Sequence, residues 1–145
     1  MIGVFAAVAM GTPAVGFTVT PSVTAVSADA VKHNSDRIKF QTKGPTYVRV
    51  AEVVFAPGGY SGWHHHPGIV IVAVKTGTVT FTHSDCSSES YGPGTVFVEG
   101  GDDPGQASSV AGATAIATFV APNDGPVTTG LTSTFRVDDV AVSCP

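Results

Sequence analysis

The chain has 145 residues, of which 12% are charged, well below the roughly 25% of an average globular protein. Its net charge is −4, and its seven Lys and Arg residues are scattered between Lys32 and Arg136. The sequence therefore lacks the basic face that nucleic acids and anionic membranes require, and we expect neither as a partner. A chain of this length forms about one domain with a core of its own.

The first ten residues are mostly apolar, too few to span a bilayer but typical of the core of a signal peptide. Small residues at cleavage spacing follow at 26–28 and 28–30. No basic residue precedes Lys32, so a disordered or strand-forming arm is the alternative. We expect residues 1–30 to be a signal peptide or disordered segment of a secreted protein, and residues 31–145 to form a single domain.

The remaining sequence favours short strands. Segments rich in Val, Ile, Thr and Phe alternate with Gly/Pro turns, and none has a long helical period. A polar turn is expected at 100–105. The predicted strands are 37–41, 47–55, 69–74, 78–83, 95–98, 114–120, 128–131 and 134–137. Many short strands with such turns predict an all-β sandwich or barrel.

The two cysteines are Cys86, in a polar loop, and Cys144, next to the last residue. Both positions are typical of exposed side chains, and exposed thiols survive poorly outside a reducing compartment. If the protein is exported, we expect a disulfide between them. Two unrelated buried thiols are the alternative.

Three of the five histidines are consecutive: His64, His65 and His66. In an extended chain, His64 and His66 point to one side and His65 to the other. Two imidazoles on one face can bind the same metal ion. The spacing therefore indicates a metal site, although a bare His-x-His is more often structural.

The residues around these histidines strengthen the interpretation of a metal site. Gly58, His64, His66, Val70 and Gly77 follow one another with gaps of five, one, three and six residues. This pattern resembles the first motif of the cupin superfamily, over a match that covers roughly residues 37–125. The resemblance implies a double-stranded β-helix, or jelly-roll, barrel with a metal at its mouth. It also implies a small molecule in the barrel pocket and a homodimer.

Two positions depart from the cupin pattern. Val70 stands where the family motif has a glutamate, and Gly105 or Gln106 stands where the second motif has a histidine. Two imidazoles alone rarely hold a divalent ion tightly. We take Gln106 as the replacement ligand beside His64 and His66; the alternatives are Glu99, Asp102, Asp103 and Glu52.

Two functions remain open at this point. The first is a non-catalytic cupin module that binds a small molecule or a metal weakly, which the two departures favour. The second is a metal-dependent enzyme, similar to cupin dioxygenases or isomerases, which the retained His64 and His66 favour. The expected ion is divalent Zn, Mn, Fe, Cu or Ni, or no ion is bound at all. No nucleophile elbow, phosphate-binding loop or Cys-x-x-Cys suggests another chemistry.

Overall fold

A computed structural model of the protein describes residues 11–123 and 135–144. Within these ranges it contains strands and no helix, so no helix there could cross a membrane. The strands are β1 (Val15–Ser27), β2 (Lys32–Ser35), β3 (Ile38–Gln41), β4 (Thr46–Tyr60), β5 (His64–Gly77), β6 (Val79–His83), β7 (Ser88–Tyr91), β8 (Val96–Ser109), β9 (Ala113–Pro122) and β10 (Val137–Asp138).

Four long antiparallel strands close into a ring. Strand β4 pairs with β9, β9 with β5, and β5 with β8. The ring closes where β8 returns to β4, through the pairs Gly59–Ser109 and Tyr60–Ser108. Strand β1 extends the sheet beyond β4, and β6 and β7 extend it beyond β8. This arrangement confirms the predicted all-β barrel.

Alternating side chains of the ring fill the interior, as the period of two in a strand requires. In β4, for example, Ala51, Val53 and Phe55 are buried, whereas Glu52 and Val54 between them are not. Strand β9 contributes small side chains at its inward positions, which are Ala113, Ala115, Ala117 and Ala121, with Phe119 among them. Because alanine takes little room, these positions leave space inside the ring.

The predicted turn at 100–105 is instead part of strand β8. The pairing of β5 with β8 shifts register twice, between His64 and His66 and between His66 and Ile69. The extra backbone is residues 102–104 of β8 at the first shift, and Pro67 and Gly68 of β5 at the second. Gly100 and Gly101, both with positive φ, lie beside these shifts. Extra residues of this kind form bulges that bend a strand without ending it. The glycine-rich sequence marks a bend in the barrel wall.

The described part of the N-terminal segment forms a strand, unlike the disordered arm that the sequence also allowed. Val15–Ser27 forms β1 and pairs with β4 along most of its length. Phe17 packs on Phe55 with ring centroids 5.0 Å apart. Thr12 also bonds to the carbonyl of Asp139 through its backbone N–H, at 2.9 Å. Cleavage of a signal peptide stays a prediction, as does the division of the chain at residue 30.

The C-terminal segment lies along the histidine-bearing strand. In β10, Val137 pairs with His65 and Asp138 with His64. A disulfide joins Cys144 to Cys86, which confirms the predicted pair. The predicted strand at 128–131 lies outside the described residues, as does the first residue of 134–137. Of residues 135–137, only Val137 belongs to a strand element, β10.

Candidate metal centre

Strands β5 and β8 bring three metal-binding side chains together. His64 and His66 are buried at 5% exposure each, and Glu99 of β8 faces them. One ligand atom from each residue can be chosen so that all three lie within 4.8 Å of one another. His65 points to the other side and bonds through Nδ1 to Asp139, at 2.8 Å. The side-chain directions are those that the His-x-His spacing predicts.

Backbone carbonyls fix the protonation of both inward imidazoles. Nδ1 of His64 lies 2.9 Å from the carbonyl of Gly62, and Nδ1 of His66 bonds to the carbonyl of Phe135. A carbonyl oxygen only accepts, so each Nδ1 carries the proton. The lone pair of each ring is thus on Nε2, the atom available to a metal. Carbonyl partners of this kind orient metal-binding histidines.

His66 Nε2 is a buried nitrogen without a hydrogen-bond partner among the described residues. The nearest carboxylate oxygen, Oε1 of Glu99, is 3.6 Å away, too far for a hydrogen bond. A buried acceptor left unpaired costs roughly 1–3 kcal/mol. A metal ion between the two residues would satisfy this nitrogen.

Burial above all, together with the positive charge of Arg136, lowers the pKa of His64 from 6.5 to about 4. The Glu99 carboxylate opposes this shift. At neutral pH His64 is therefore uncharged. A neutral imidazole is the form that binds metals.

The donor set suits a divalent transition metal, because two imidazole nitrogens and one carboxylate oxygen leave coordination positions open. Ligands about 2.0–2.2 Å from one ion lie roughly 3–4 Å from each other. A cluster spanning 4.8 Å needs only a small contraction to reach that spacing. His64, His66 and Glu99 therefore fit such an ion.

The carboxylate in this cluster comes from the strand beside the expected one. Val70 is buried at 1% exposure, on the inward face of β5. Its cross-strand partner on β8 is Glu99. Directly opposed residues of antiparallel strands face the same side. Glu99 thus places a carboxylate beside Val70, the residue that stands where the motif has its glutamate.

The other candidate ligands lie elsewhere. Gln106 is half-buried between the inward-facing Gly105 and Ala107, and it does not line the cavity. Asp102 and Asp103 are exposed on the bulged part of β8. Glu52 points outward, with Nζ of Lys75 at 3.8 Å. Of the replacements considered for the third ligand, only Glu99 joins His64 and His66.

Gly105, the cross-strand partner of His64, has no room for a side chain. A Cβ at this position would lie 2.2 Å from Cζ of Phe81. The Phe81 ring therefore occupies the space over Gly105 and excludes a histidine there. Gly105, one of the two residues that stand where the second motif has a histidine, therefore lies inward without space for a larger side chain.

The cluster opens on a cavity of about 200 Å³ inside the barrel. Most of its wall is apolar, with five phenylalanines among the lining residues: Phe17, Phe55, Phe97, Phe119 and Phe135. The polar lining consists of His64, His66, Glu99, Arg49 and Arg136. Neither arginine stood out in the sequence, although Arg49 shares its parity with the buried Ala51 and Val53.

The antiparallel barrel and its inward His-x-His motif define a cupin-type barrel. No family model matches the chain, and no curated protein matches it. Several solved structures resemble it in fold. A cupin superfamily protein from Desulfitobacterium hafniense is 14% identical, with 67% of this chain and 76% of that chain covered, at a TM-score of 0.46.

A cupin-like protein from Thermotoga maritima is 22% identical, with 62% of this chain and 76% of that chain covered, at a TM-score of 0.46. A structure of DMSP lyases is 19% identical, with 49% of this chain covered, at a TM-score of 0.45. This chain covers 37% of that protein's length. These likenesses concern the fold alone.

Proposed function

We propose that this chain binds one divalent metal ion through His64, His66 and Glu99 and acts on a small organic molecule in the barrel cavity. The observation that carries the proposal is the unpaired, buried Nε2 of His66, 3.6 Å from a Glu99 oxygen. Two neutral imidazoles and one carboxylate are the ligand set of many iron-dependent oxygenases. This ligand set favours a dioxygenase-like reaction over an isomerase-like reaction.

The ion would supply open coordination positions and Lewis acidity toward the cavity. The chain's own residues prepare the site before any ligand arrives. The carbonyls of Gly62 and Phe135 hold the two imidazoles with Nε2 free. Phenylalanine side chains around the cavity exclude water, which strengthens electrostatic interactions inside it.

Elemental analysis of purified protein by mass spectrometry tests the proposal, after incubation with iron(II), manganese, zinc, copper or nickel and desalting. We expect about one ion per chain in the wild type. His64→Ala/His66→Ala and Glu99→Gln should lose it. Gln106→Ala and His33→Gln are the matched controls and should retain it, because neither residue lines the cavity.

A wild type that binds none of these ions would overturn the proposal. So would a Glu99→Gln variant that binds metal as tightly as the wild type, since the third ligand would then be another residue. Unfolding of each variant by circular dichroism separates loss of a ligand from loss of the fold.

A non-catalytic binding module is the second candidate. Val70 and Gly105 cannot supply the ligands that the cupin pattern has in these regions, so a metal here would be held by three residues instead of four. Stoichiometric metal without turnover or oxygen uptake, across a panel of small organic acids, would favour this function. Consumption of any of them that depends on Glu99 would favour the enzyme.

We also propose that the protein works in an oxidising, extracytoplasmic compartment, which the Cys86–Cys144 disulfide supports. Strand β1 contributes Phe17 and Val19 to the cavity wall, so cleavage near residue 28 or 30 would remove part of the pocket. N-terminal sequencing of exported protein tests this. A mature chain that begins after residue 27 would show that the exported protein has a cavity without the wall that β1 contributes.

A further inference from the structure

Two cationic side chains face a cavity that is otherwise mostly apolar. Arg49 projects from β4, and Arg136 immediately precedes β10. Both line the same cavity, of about 200 Å³, as the three proposed metal ligands. Pockets for drug-sized ligands measure about 300–1,000 Å³. The cavity therefore suits a smaller molecule. The two arginines favour a negative charge on that molecule.

Arg49 has no acidic neighbour among the described residues, because none of the four ion pairs found there includes it. Its Nε donates to the hydroxyl of Thr24 at 3.1 Å. Its guanidinium lies 3.8 Å above the ring of Phe135. Burial lowers the pKa of Arg49. This cation is partly desolvated, and an anionic ligand would compensate it.

Arg136 is held in a fixed orientation at the cavity wall. Its Nη2 donates to the carbonyl of Ser61 at 2.7 Å, and its Nε donates to Asp138 at 2.5 Å. A guanidinium has five N–H donors, so others remain after these two bonds. The charge of Arg136 reaches the metal site, since it lowers the pKa of His64.

The cavity is positively charged within a chain of net charge −4. Arg49 and Arg136 contribute two positive charges and Glu99 one negative charge, and a bound divalent ion would add two more positive charges. The charge of Arg136 is partly balanced by Asp138. Arginine clusters in a low-dielectric cleft select anionic ligands, and the planar guanidinium matches a carboxylate.

We propose that the cavity binds a small organic acid, with its carboxylate at Arg49 and Arg136 and its apolar body against Phe119 and Phe135. Only the placement of the acid beside a metal site rests on the proposed function. The contacts with the arginines and the phenylalanines require no metal. The acid is small and carries an apolar or aromatic body, because phenylalanines form much of the wall of a cavity of about 200 Å³.

Isothermal titration calorimetry with benzoate and benzamide tests the proposal, since the two probes share a shape and differ in charge. We expect benzoate to bind at least tenfold more tightly than benzamide, with or without metal. Arg49→Gln and Arg136→Gln should each weaken benzoate binding about tenfold, the effect of losing one hydrogen bond to a charged group. They should leave benzamide binding unchanged. Arg37→Gln, at an exposed turn residue, is the matched control.

Equal affinity for the two probes would overturn the proposal, as would failure of both to bind in the presence and absence of metal. A preference for benzoate that survives in both arginine variants would also overturn it. The metal proposal fails separately. Protein that binds no metal but prefers benzoate keeps the organic acid site, whereas stoichiometric metal without that preference keeps only the metal site.

Discussion

Val70 and Glu99 are cross-strand partners on β5 and β8, and both face the interior of the barrel. Val70 occupies the position at which the cupin motif has a glutamate. The Glu99 carboxylate approaches the same two histidines from the opposite strand. The chain therefore retains two imidazoles and a carboxylate, with the carboxylate moved across one strand pair.

This relationship predicts that the carboxylate can be moved back. Glu99→Val should lower metal affinity by more than about a hundredfold, because loss of an outer-shell partner alone costs about 10–100-fold. Val70→Glu/Glu99→Val should recover much of that loss, since Val70 is the direct partner of Glu99. Competition titration with a chromophoric chelator measures the affinities.

The control for this exchange is Val72→Glu/Glu99→Val. Val72 is also buried on β5, but its cross-strand partner is Phe97. If both double variants bind metal equally well, the position of residue 70 has no special relation to the site, and the prediction is wrong.

Part of this site could be predicted from the sequence. A period of two in a strand was enough to place His64 and His66 on one face and His65 on the other. The sequence favours Gln106 over Glu99, because Gly105 or Gln106 stands where the second cupin motif has a histidine and a turn is predicted at 100–105. In the structure β8 continues through this region, with a bulge at residues 102–104. Register shifts of this kind depend on tertiary pairing, which the local sequence does not reveal.

The arginines were missed for a different reason. Both faces of β4 are rich in apolar residues. The sequence therefore did not show which face is buried, or that Arg49 lies on that face. Arg136 reaches the cavity because the C-terminal segment pairs with the histidine-bearing strand β5. Contacts between residues that are distant in the chain carry no local sequence signal.

The lowered pKa of His64 predicts that metal-free protein loses stability in mild acid. The unfolded chain binds a proton near pH 6.5, whereas the folded chain resists it until pH 4. Stability is therefore fully present above pH 6.5 and falls as the pH decreases toward 4. One pKa unit is worth about 1.4 kcal/mol, so the loss reaches about 3 kcal/mol.

Urea unfolding at pH 7, 6, 5 and 4.5 in the presence of chelator measures this loss. His64→Gln is the comparison, because it removes the titrating group and leaves the carboxylates that also respond to acid. The difference in unfolding free energy between the two proteins should shrink by about 2.4 kcal/mol between pH 7 and pH 4.5. Parallel pH profiles would show that burial does not hold His64 neutral.

The disulfide predicts a link between redox state and the metal site. Cys144 anchors the segment that supplies the Phe135 carbonyl to His66 and the Arg136 side chain to the cavity. Closing a loop of this size stabilises a protein by roughly 2–4 kcal/mol. Cys86→Ser/Cys144→Ser should lose that much unfolding free energy and bind metal several-fold more weakly.

Chemical denaturation and chelator competition on the oxidised wild type and the double serine variant measure the two effects. The wild type treated with a reductant should match the variant, whereas reductant should not change the variant itself. A variant with unchanged metal affinity would mean that β10 and the bond between His65 and Asp139 hold the segment without the disulfide.

The contact between Gly105 and Phe81 predicts that a single methyl group at residue 105 is destabilising. A Cβ there would approach Cζ of Phe81 to 2.2 Å, and Phe81 is itself buried at 7% exposure. Overpacking of a core costs about 1–3 kcal/mol, so Gly105→Ala should lower the unfolding free energy by that amount. Gly92→Ala is the matched control, because a Cβ at Gly92 meets nothing within 4 Å.

A smaller side chain at residue 81 should relieve this overlap. Phe81→Leu alone leaves a gap and lowers the stability, but combined with Gly105→Ala it should cost less than the sum of the two single effects. A coupling of about 0.5–3 kcal/mol is typical of residues in contact. Additive effects in the double-mutant cycle would mean that the cost of Gly105→Ala does not come from Phe81. Unchanged stability of Gly105→Ala would mean that the ring moves away from residue 105 without cost. The space above Gly105 would then be open to a fourth metal ligand.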